Sequence, residues 1–169
     1  MELGYFSQTR EVSGVKTLLD EIDVQILAIL QADGRITNAD LSKRVGLSPP
    51  SVLQRVRTLE KMGLIRGYHA ILDHERLGLK LTAFAQISLS LHQEQPIERF
   101  RKQIAAIPEV LECYHVSGEF DFLLKIVVRD IRAYEALIRE KITKIRGIRQ
   151  IKTDFVLGVN KHTTQVPLD

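Results

Sequence analysis

Pro50, Gln54, Arg57 and Lys61 recur at three- and four-residue spacing in the run Ser48-Pro-Pro-Ser-Val-Leu-Gln-Arg-Val-Arg-Thr-Leu-Glu-Lys61. At about 100° of rotation per residue this spacing places all four on one side of a helix, with Ser51 and Thr58 beside them and Arg55 at the edge. The opposite side carries Val52, Val56 and Leu59. The polar side offers amide, guanidinium, hydroxyl and ammonium groups and no carboxylate. That inventory suits duplex DNA, because Gln and Arg make paired hydrogen bonds to base edges while Ser and Lys reach phosphates. The surroundings have the same sign: Lys43, Arg44, Arg55, Arg57, Lys61 and Arg66 stand against the single acid Glu60.

A basic face could also be merely solvated, so its presentation matters. Gly46 permits a tight left-handed turn, Ser48 is placed to cap the helix, and Pro49 loses nothing at its first position, where backbone N–H groups lack internal partners. Two shorter helices are predicted before it. Asp20 and Asp23 stand at capping-box spacing ahead of Ile22, Ile26, Ile29 and Leu30, and Asp33-Gly34 ends that stripe. Thr37 and Asp40 repeat the arrangement ahead of Ala39, Leu41 and Val45. Three helices in this order predict a helix-turn-helix whose third helix enters the major groove. The N-terminal amides of the second helix, near Thr37 and Asn38, would face a phosphate. Leu64 to Leu72 reads as a short extended segment.

The second half changes period. Leu81, Ala83, Ala85, Ile87, Leu89 and Leu91 alternate with Thr82, Phe84, Gln86, Ser88 and Ser90, as in a strand with one buried face. A helix with Ile97, Phe100, Ile104 and Ile107 inward follows, ended by Pro108. Strands are predicted over Val110 to Val116 and Phe122 to Val128, joined by Ser117-Gly-Glu-Phe-Asp121. A helix bearing Tyr134, Leu137, Ile138, Ile142 and Ile145 comes next, then a last strand with Ile151, Thr153, Phe155 and Leu157 inward. The order is βαββαβ, the split βαβ of ferredoxin-like folds. The fold class is therefore α+β, with four segments: a flexible arm over 1–17, a winged helix-turn-helix over 18–72, a linker over 73–80 and a ferredoxin-like domain over 81–169.

Composition excludes several function classes. The 169 residues are 44% hydrophobic and 27% charged, as in folded domains, with a formal net charge of +3. One cysteine, Cys113, rules out an intramolecular disulfide and a multi-thiolate cluster. The N-terminus lacks the apolar core of a signal peptide, and no apolar run nears the ~20 residues that span a bilayer, so a cytoplasmic protein with no membrane partner is expected. Cys113 and His115 share a strand face without an orienting third group, which favours packing over a thiol and its base. His69, His74, His92, His115 and His162 lack zinc-ligand spacing, and no G-x-x-x-x-G-K loop is present. No catalytic residues, metal or cofactor are expected.

The ordered motifs identify a family resemblance. Leu19-Asp-Glu-Ile-Asp-Val-Gln-Ile-Leu27, Asp33-Gly-Arg-Ile-Thr-Asn38, Leu41-Ser-Lys-Arg-Val-Gly-Leu-Ser-Pro49, Arg55-Val-Arg-Thr-Leu-Glu60 and Gly63-Leu-Ile-Arg-Gly-Tyr68 resemble the Lrp/AsnC transcription regulators. So do Val116-Ser-Gly-Glu-Phe-Asp-Phe-Leu-Leu-Lys125 and Lys161-His-Thr-Thr164 downstream. The resemblance implies a winged helix-turn-helix joined to a βαββαβ (RAM/ACT-like) domain that dimerises, assembles into octamer-like rings, and binds small effectors, usually amino acids. The polar face of the third helix, the start of the second and the basic cluster around them predict DNA contacts from Thr37, Asn38, Lys43, Arg44, Ser48, Pro50, Ser51, Gln54, Arg55, Arg57, Lys61 and Arg66. The resemblance places the effector between protomers near Ser117, Gly118, Glu119, Phe120 and Asp121, with Asp154 and Phe155 nearby. Turn amides beside Gly118 could hold a carboxylate and Asp121 an ammonium; the same residues could equally form a simple hairpin turn. Ser51 and Val52 replace the Pro and Cys common in relatives, and Asp154 replaces an aromatic residue. An extra carboxylate there would favour a cationic or polar amino acid, or serve a surface.

Two further readings stay open. The module could sense an amino acid and act through protein contacts on a metabolic enzyme. The basic run Arg139, Lys141, Lys144, Arg146, Arg149 and Lys152 is either a solvated face or a surface for DNA.

Overall fold

The computed structural model describes residues 19–90 and 94–168. The expected arm over 1–17 and Leu91 of the first strand lie outside the described residues. The chain divides into two compact units, residues 71–161 forming one and all remaining described residues the other.

The first unit holds α1 (Glu21–Ala32), α2 (Asn38–Val45) and α3 (Pro49–Lys61). Asp20 caps α1 as anticipated: its carboxylate accepts from the Asp23 amide at 2.9 Å, and Asp23 accepts from the Asp20 amide at 3.4 Å. Ile26, Leu27, Leu41, Val52, Val56 and Leu59 form the core. Each such aliphatic side chain contributes about 1.5–3 kcal/mol when fully withdrawn from water. The predicted inward Ala39 is instead exposed, leaving Leu41 as the buried anchor of α2. After α3 the chain turns over residues 62–65, where Leu64 and Ile65 pack on the same core, and then runs to residue 80 without strand pairing, with a second turn over 74–78.

The second unit is a four-stranded antiparallel sheet in the order β2-β3-β1-β4. Its strands are β1 (Leu81–Leu89), β2 (Val110–His115), β3 (Phe122–Val128) and β4 (Ile148–Phe155). Helices α4 (Glu94–Ala105) and α5 (Ile131–Leu137) complete the βαββαβ order. One sheet face buries Ala83, Ala85, Ile87, Leu89, Phe122, Leu124 and Ile126 with Phe100, Ile104, Tyr134 and Ile142. Phe100 and Phe122 meet at 4.5 Å between ring centroids.

Two expectations are corrected here. The last helix changes character: α5 passes into a π-helical turn, Ile138–Ile142, closed by the Thr143 amide on the Ile138 carbonyl at 2.9 Å. The π-helical turn ends the helix at Ile142, and Ile142 and, in the turn beyond it, Ile145 both reach the core. Leu157 is not inward, because β4 ends at Phe155 and leaves it fully exposed. Residues 162–168 belong to the first unit, where the Gln31 side-chain amide donates to the Val166 carbonyl at 3.2 Å and accepts from its amide at 2.7 Å. Leu168 adds to that unit's apolar cluster. The expected linker is itself ordered by His74, whose Nδ1 lies 2.7 Å from the Leu79 carbonyl.

Candidate nucleic-acid interface and effector residues

Gly46 adopts φ 70° between α2 and α3, a left-handed conformation costing L-residues about 1–2 kcal/mol. The reversal it permits is followed by Ser48, whose hydroxyl accepts from the Ser51 amide at 3.4 Å and meets the Ser51 hydroxyl at 2.8 Å. With Val52, Val56 and Leu59 buried, the helix can turn only one way. Pro50, Ser51, Gln54, Arg57, Thr58 and Lys61 consequently all face solvent. Leu47, Pro50, Ser51, Gln54 and Arg55 line an open surface depression at the start of this face. Arg66, in the extended segment behind α3, is also exposed.

Arg55 has a different job from its neighbours. Its Nη1 lies 2.7 Å from both Asp20 and Asp23, so it ties α3 to the capping box of α1. The bonds to Asp23, then Asp20, hold the guanidinium even more firmly protonated than usual. Asp20 is pushed below its ordinary carboxylate range, first by the Asp23 amide and then by Arg55. The expected DNA cation is therefore compensated within its own unit. Sequence reasoning placed Arg55 at the edge of the polar face, but it could not show that two acids 32 and 35 residues away point at it.

The second helix carries a comparable internal arrangement. Thr37 accepts from the Asp40 amide at 3.1 Å and donates its hydroxyl proton to the Asp40 carboxylate at 2.8 Å, while Lys43 reaches that carboxylate at 3.0 Å. Lys43, then Thr37, lowers the Asp40 pKa. Asn38, Lys43 and Arg44 remain exposed. The start of α2 thus presents a carboxylate beside the amides proposed for a phosphate, with Lys43 as its counter-charge.

The effector candidates do not converge within one chain. Ser117, Gly118 and Glu119 are exposed, with Gly118 at φ 139°, and Phe120 is half-buried. Asp121 closes the loop: its carbonyl accepts from the Val116 amide at 3.0 Å, and its carboxylate accepts from the Leu89 amide at 2.7 Å. The hairpin role left open for Asp121 is therefore filled. Asp154 sits on the outward sheet face, accepting from the Gln86 amide group at 2.8 Å. Phe155 faces the helix side but stays 41% exposed, edge-on to Tyr134 at 5.3 Å. Asp154 and Phe155 pair with Phe84 and Ala83, whereas Asp121 binds at Leu89. Five residues of strand, roughly 17 Å, separate the two groups.

Cys113 is largely buried, which pushes its thiol up to about 11. His115 stacks on Phe122 at 4.7 Å between centroids and lies 3.2 Å from Arg101. Burial and a raised thiol pKa are what the expected packing role of Cys113 would give. No helix among the described residues is long and apolar enough to cross a membrane.

Two family models match the chain. Residues 19–66 match the winged helix-turn-helix DNA-binding family, and residues 82–166 match the Lrp/AsnC ligand binding domain. The leucine-responsive regulatory protein of Escherichia coli strain K12 is 42% identical over 148 residues, covering 88% of this chain and 90% of that protein. A transcriptional regulator from Neisseria meningitidis, solved in complex with L-Met, superposes with a TM-score of 0.85 at 38% identity, covering 89% of this chain and 97% of the other. AsnC of Escherichia coli gives a TM-score of 0.81 at 27% identity, covering 88% of this chain and 99% of the other.

Proposed function

The chain belongs to the Lrp/AsnC family of transcriptional regulators, and from that premise we propose that it reads duplex DNA with α3 while an amino acid held by its second unit modulates assembly or binding. The outward face of α3 carries this reading. Gln54 and Arg57 are the base-reading groups, with Pro50, Ser51 and Ser48 approaching at the helix start. Lys61, Arg66, Arg44, Lys43 and the Thr37–Asn38 end of α2 supply phosphate contacts. Arg55 positions α3 on α1 instead of contacting DNA.

The effector class follows from the ligand-binding domain match and from the L-Met bound to the Neisseria relative. The loop from Ser117 to Asp121 and the Asp154–Phe155 strand end lie too far apart in one chain to hold one small molecule. A site using both needs two copies, so the working form is a homodimer or a larger ring. Such a regulator acts in the cytoplasm, where its DNA is.

Selection of bound duplexes from a random pool tests the reading. The wild-type chain should enrich a defined sequence, and Gln54→Ala should lose about 1–3 kcal/mol on it, or roughly 5- to 150-fold, with little change on random DNA. Equal losses on both would remove Gln54 as a base reader, and no enrichment at all would remove the function.

A further inference from the structure

Charge is unevenly divided along this chain. Residues 71–161 hold fifteen lysines and arginines against twelve aspartates and glutamates, while the rest of the sequence holds nine of each. The whole excess of +3 therefore lies outside the unit that carries α3. Within the second unit it is concentrated further, because residues 129–152 contain eight cations and three acids.

Some of these cations are already engaged. Arg139 meets Glu135 at 2.8 Å and Glu140 at 3.1 Å, and Lys141 meets Glu109 at 2.6 Å. Lys144, Arg146 and Arg149 are exposed and have no carboxylate partner among the described residues. Their presentation is fixed from beneath. Ile142 and Ile145 are 0% and 4% exposed, and Ile148 packs on the same cluster. These three-residue steps point the isoleucines into the core and leave the intervening cations outside. Gly147 takes φ 96°, and its carbonyl accepts from the Ser90 amide at 2.7 Å, pinning the turn to the end of β1. The β1–β4 register breaks between Ser88 and Leu89, where Gln150 and Ile148 are the partners, so Arg149 is the extra residue of a bulge. Bulges of this kind re-aim a side chain away from the ladder.

We propose that the turn from Lys144 to Arg149 is a second DNA-backbone surface, holding phosphates of duplex DNA without reading sequence. Three uncompensated cations lie within six residues, on a turn whose apolar side is locked. The contrast with Arg139 and Lys141, each paired with a nearby acid, separates these three from the other cations just before them in the chain. The inference rests on the DNA-binding reading above but assigns contacts to the unit that reading reserves for the effector.

The test uses the full chain and two duplexes of equal length, one carrying the selected site and one unrelated. The triple variant Lys144→Ala, Arg146→Ala, Arg149→Ala should weaken both duplexes by a similar factor. Its log–log salt slope should fall by ~0.9 per lost contact, up to ~2.7 per protomer. The charge-keeping variant Lys144→Arg, Arg146→Lys, Arg149→Lys should retain the wild-type slope. An unchanged slope and affinity in the alanine variant would overturn the proposal. An equal loss in the charge-keeping variant would overturn it too, since packing and not charge would then be responsible. Gln54→Ala run in parallel separates the two readings: lost site preference there, with an inert turn variant, sinks the second surface alone.

Discussion

Arg55 and Arg57 stand two residues apart on the same helix, both cationic, and should fail in opposite ways when replaced. Arg55→Met keeps most of the aliphatic stem but removes the guanidinium that lies 2.7 Å from Asp23, a carboxylate only 15% exposed. A hydrogen bond to a charged group contributes about 1.5–3 kcal/mol when buried. Arg55 is about one-third exposed, and solvent screening reduces exposed pairs to about 0.2–1 kcal/mol. The Asp23 arm should therefore contribute about 1–2 kcal/mol, and the more exposed Asp20 arm is left out of the sum. In a unit of this size each 1 kcal/mol moves the melting temperature by about 4–8 °C. Differential scanning calorimetry should show the first unit melting lower in Arg55→Met, while the salt slope of DNA binding at 20 °C stays at the wild-type value. Arg57→Met should leave melting unchanged and lower the slope by ~0.9 if it meets a phosphate, or relax base preference if it meets a base. The pH dependence has a definite sign. Asp20 is depressed in the folded state, so its stabilisation is complete above the ordinary aspartate pKa of 3.8 and is lost as pH falls through the lower folded value. Arg55→Met should remove part of that acid-side loss. An Arg55→Met protein that melts normally and loses salt slope would show the guanidinium working on DNA, against the geometry.

Two further outcomes follow from other contacts. Ending the chain at Lys161 deletes the Val166 partner of Gln31 and the apolar contact of Leu168, and should lower the melting temperature of the first unit but not the second; hydrogen exchange resolved by peptide would show any effect placed elsewhere. Cys113, with its thiol pushed up to about 11 by burial, should react with iodoacetamide far more slowly at pH 8 than a free peptide thiol, accelerating only as pH approaches that value; peptide-like rates at pH 8 would contradict the packing role.

Much of the fold was legible because its signals are local. Ser48, Pro49 and Gly46 mark the boundaries of α3 by backbone chemistry alone, and the alternation from Leu81 to Leu89 marks a strand whatever its partners. The outward face of α3 could be read for the same reason, since helical geometry fixes what lies opposite Val52, Val56 and Leu59. The misses are long-range. Arg55 looks identical to Arg57 in a sequence window, and only the approach of α1 separates them. Leu157 continues the parity of Ile151 and Thr153, but pairing with β1 ends at Phe155. The π-turn at Ile138 gives no compositional warning, since Ile, Arg, Glu and Lys are ordinary helix residues, and the return of residues 162–168 to the first unit depends on an amide 135 residues away in Gln31.

The split of the effector candidates along β1 has a thermodynamic consequence. A ligand gripped at one end by the Ser117–Asp121 loop of one copy and at the other by the Asp154–Phe155 strand end of another binds an interface, not a protomer. Its binding energy is then also assembly energy. At a concentration of 100 times its dissociation constant, such a ligand favours the assembled form by about 2.7 kcal/mol per site. The reciprocal holds: dilution that breaks the assembly must weaken the ligand by the same free energy. Effector affinity should thus rise with protein concentration until assembly is complete, and amino-acid titrations by calorimetry at two protein concentrations spanning dissociation should give different apparent constants. Identical constants at both would place the effector inside one chain, and the five residues of β1, roughly 17 Å, between Leu89 and Phe84 would then have to be closed by some contact other than the ligand.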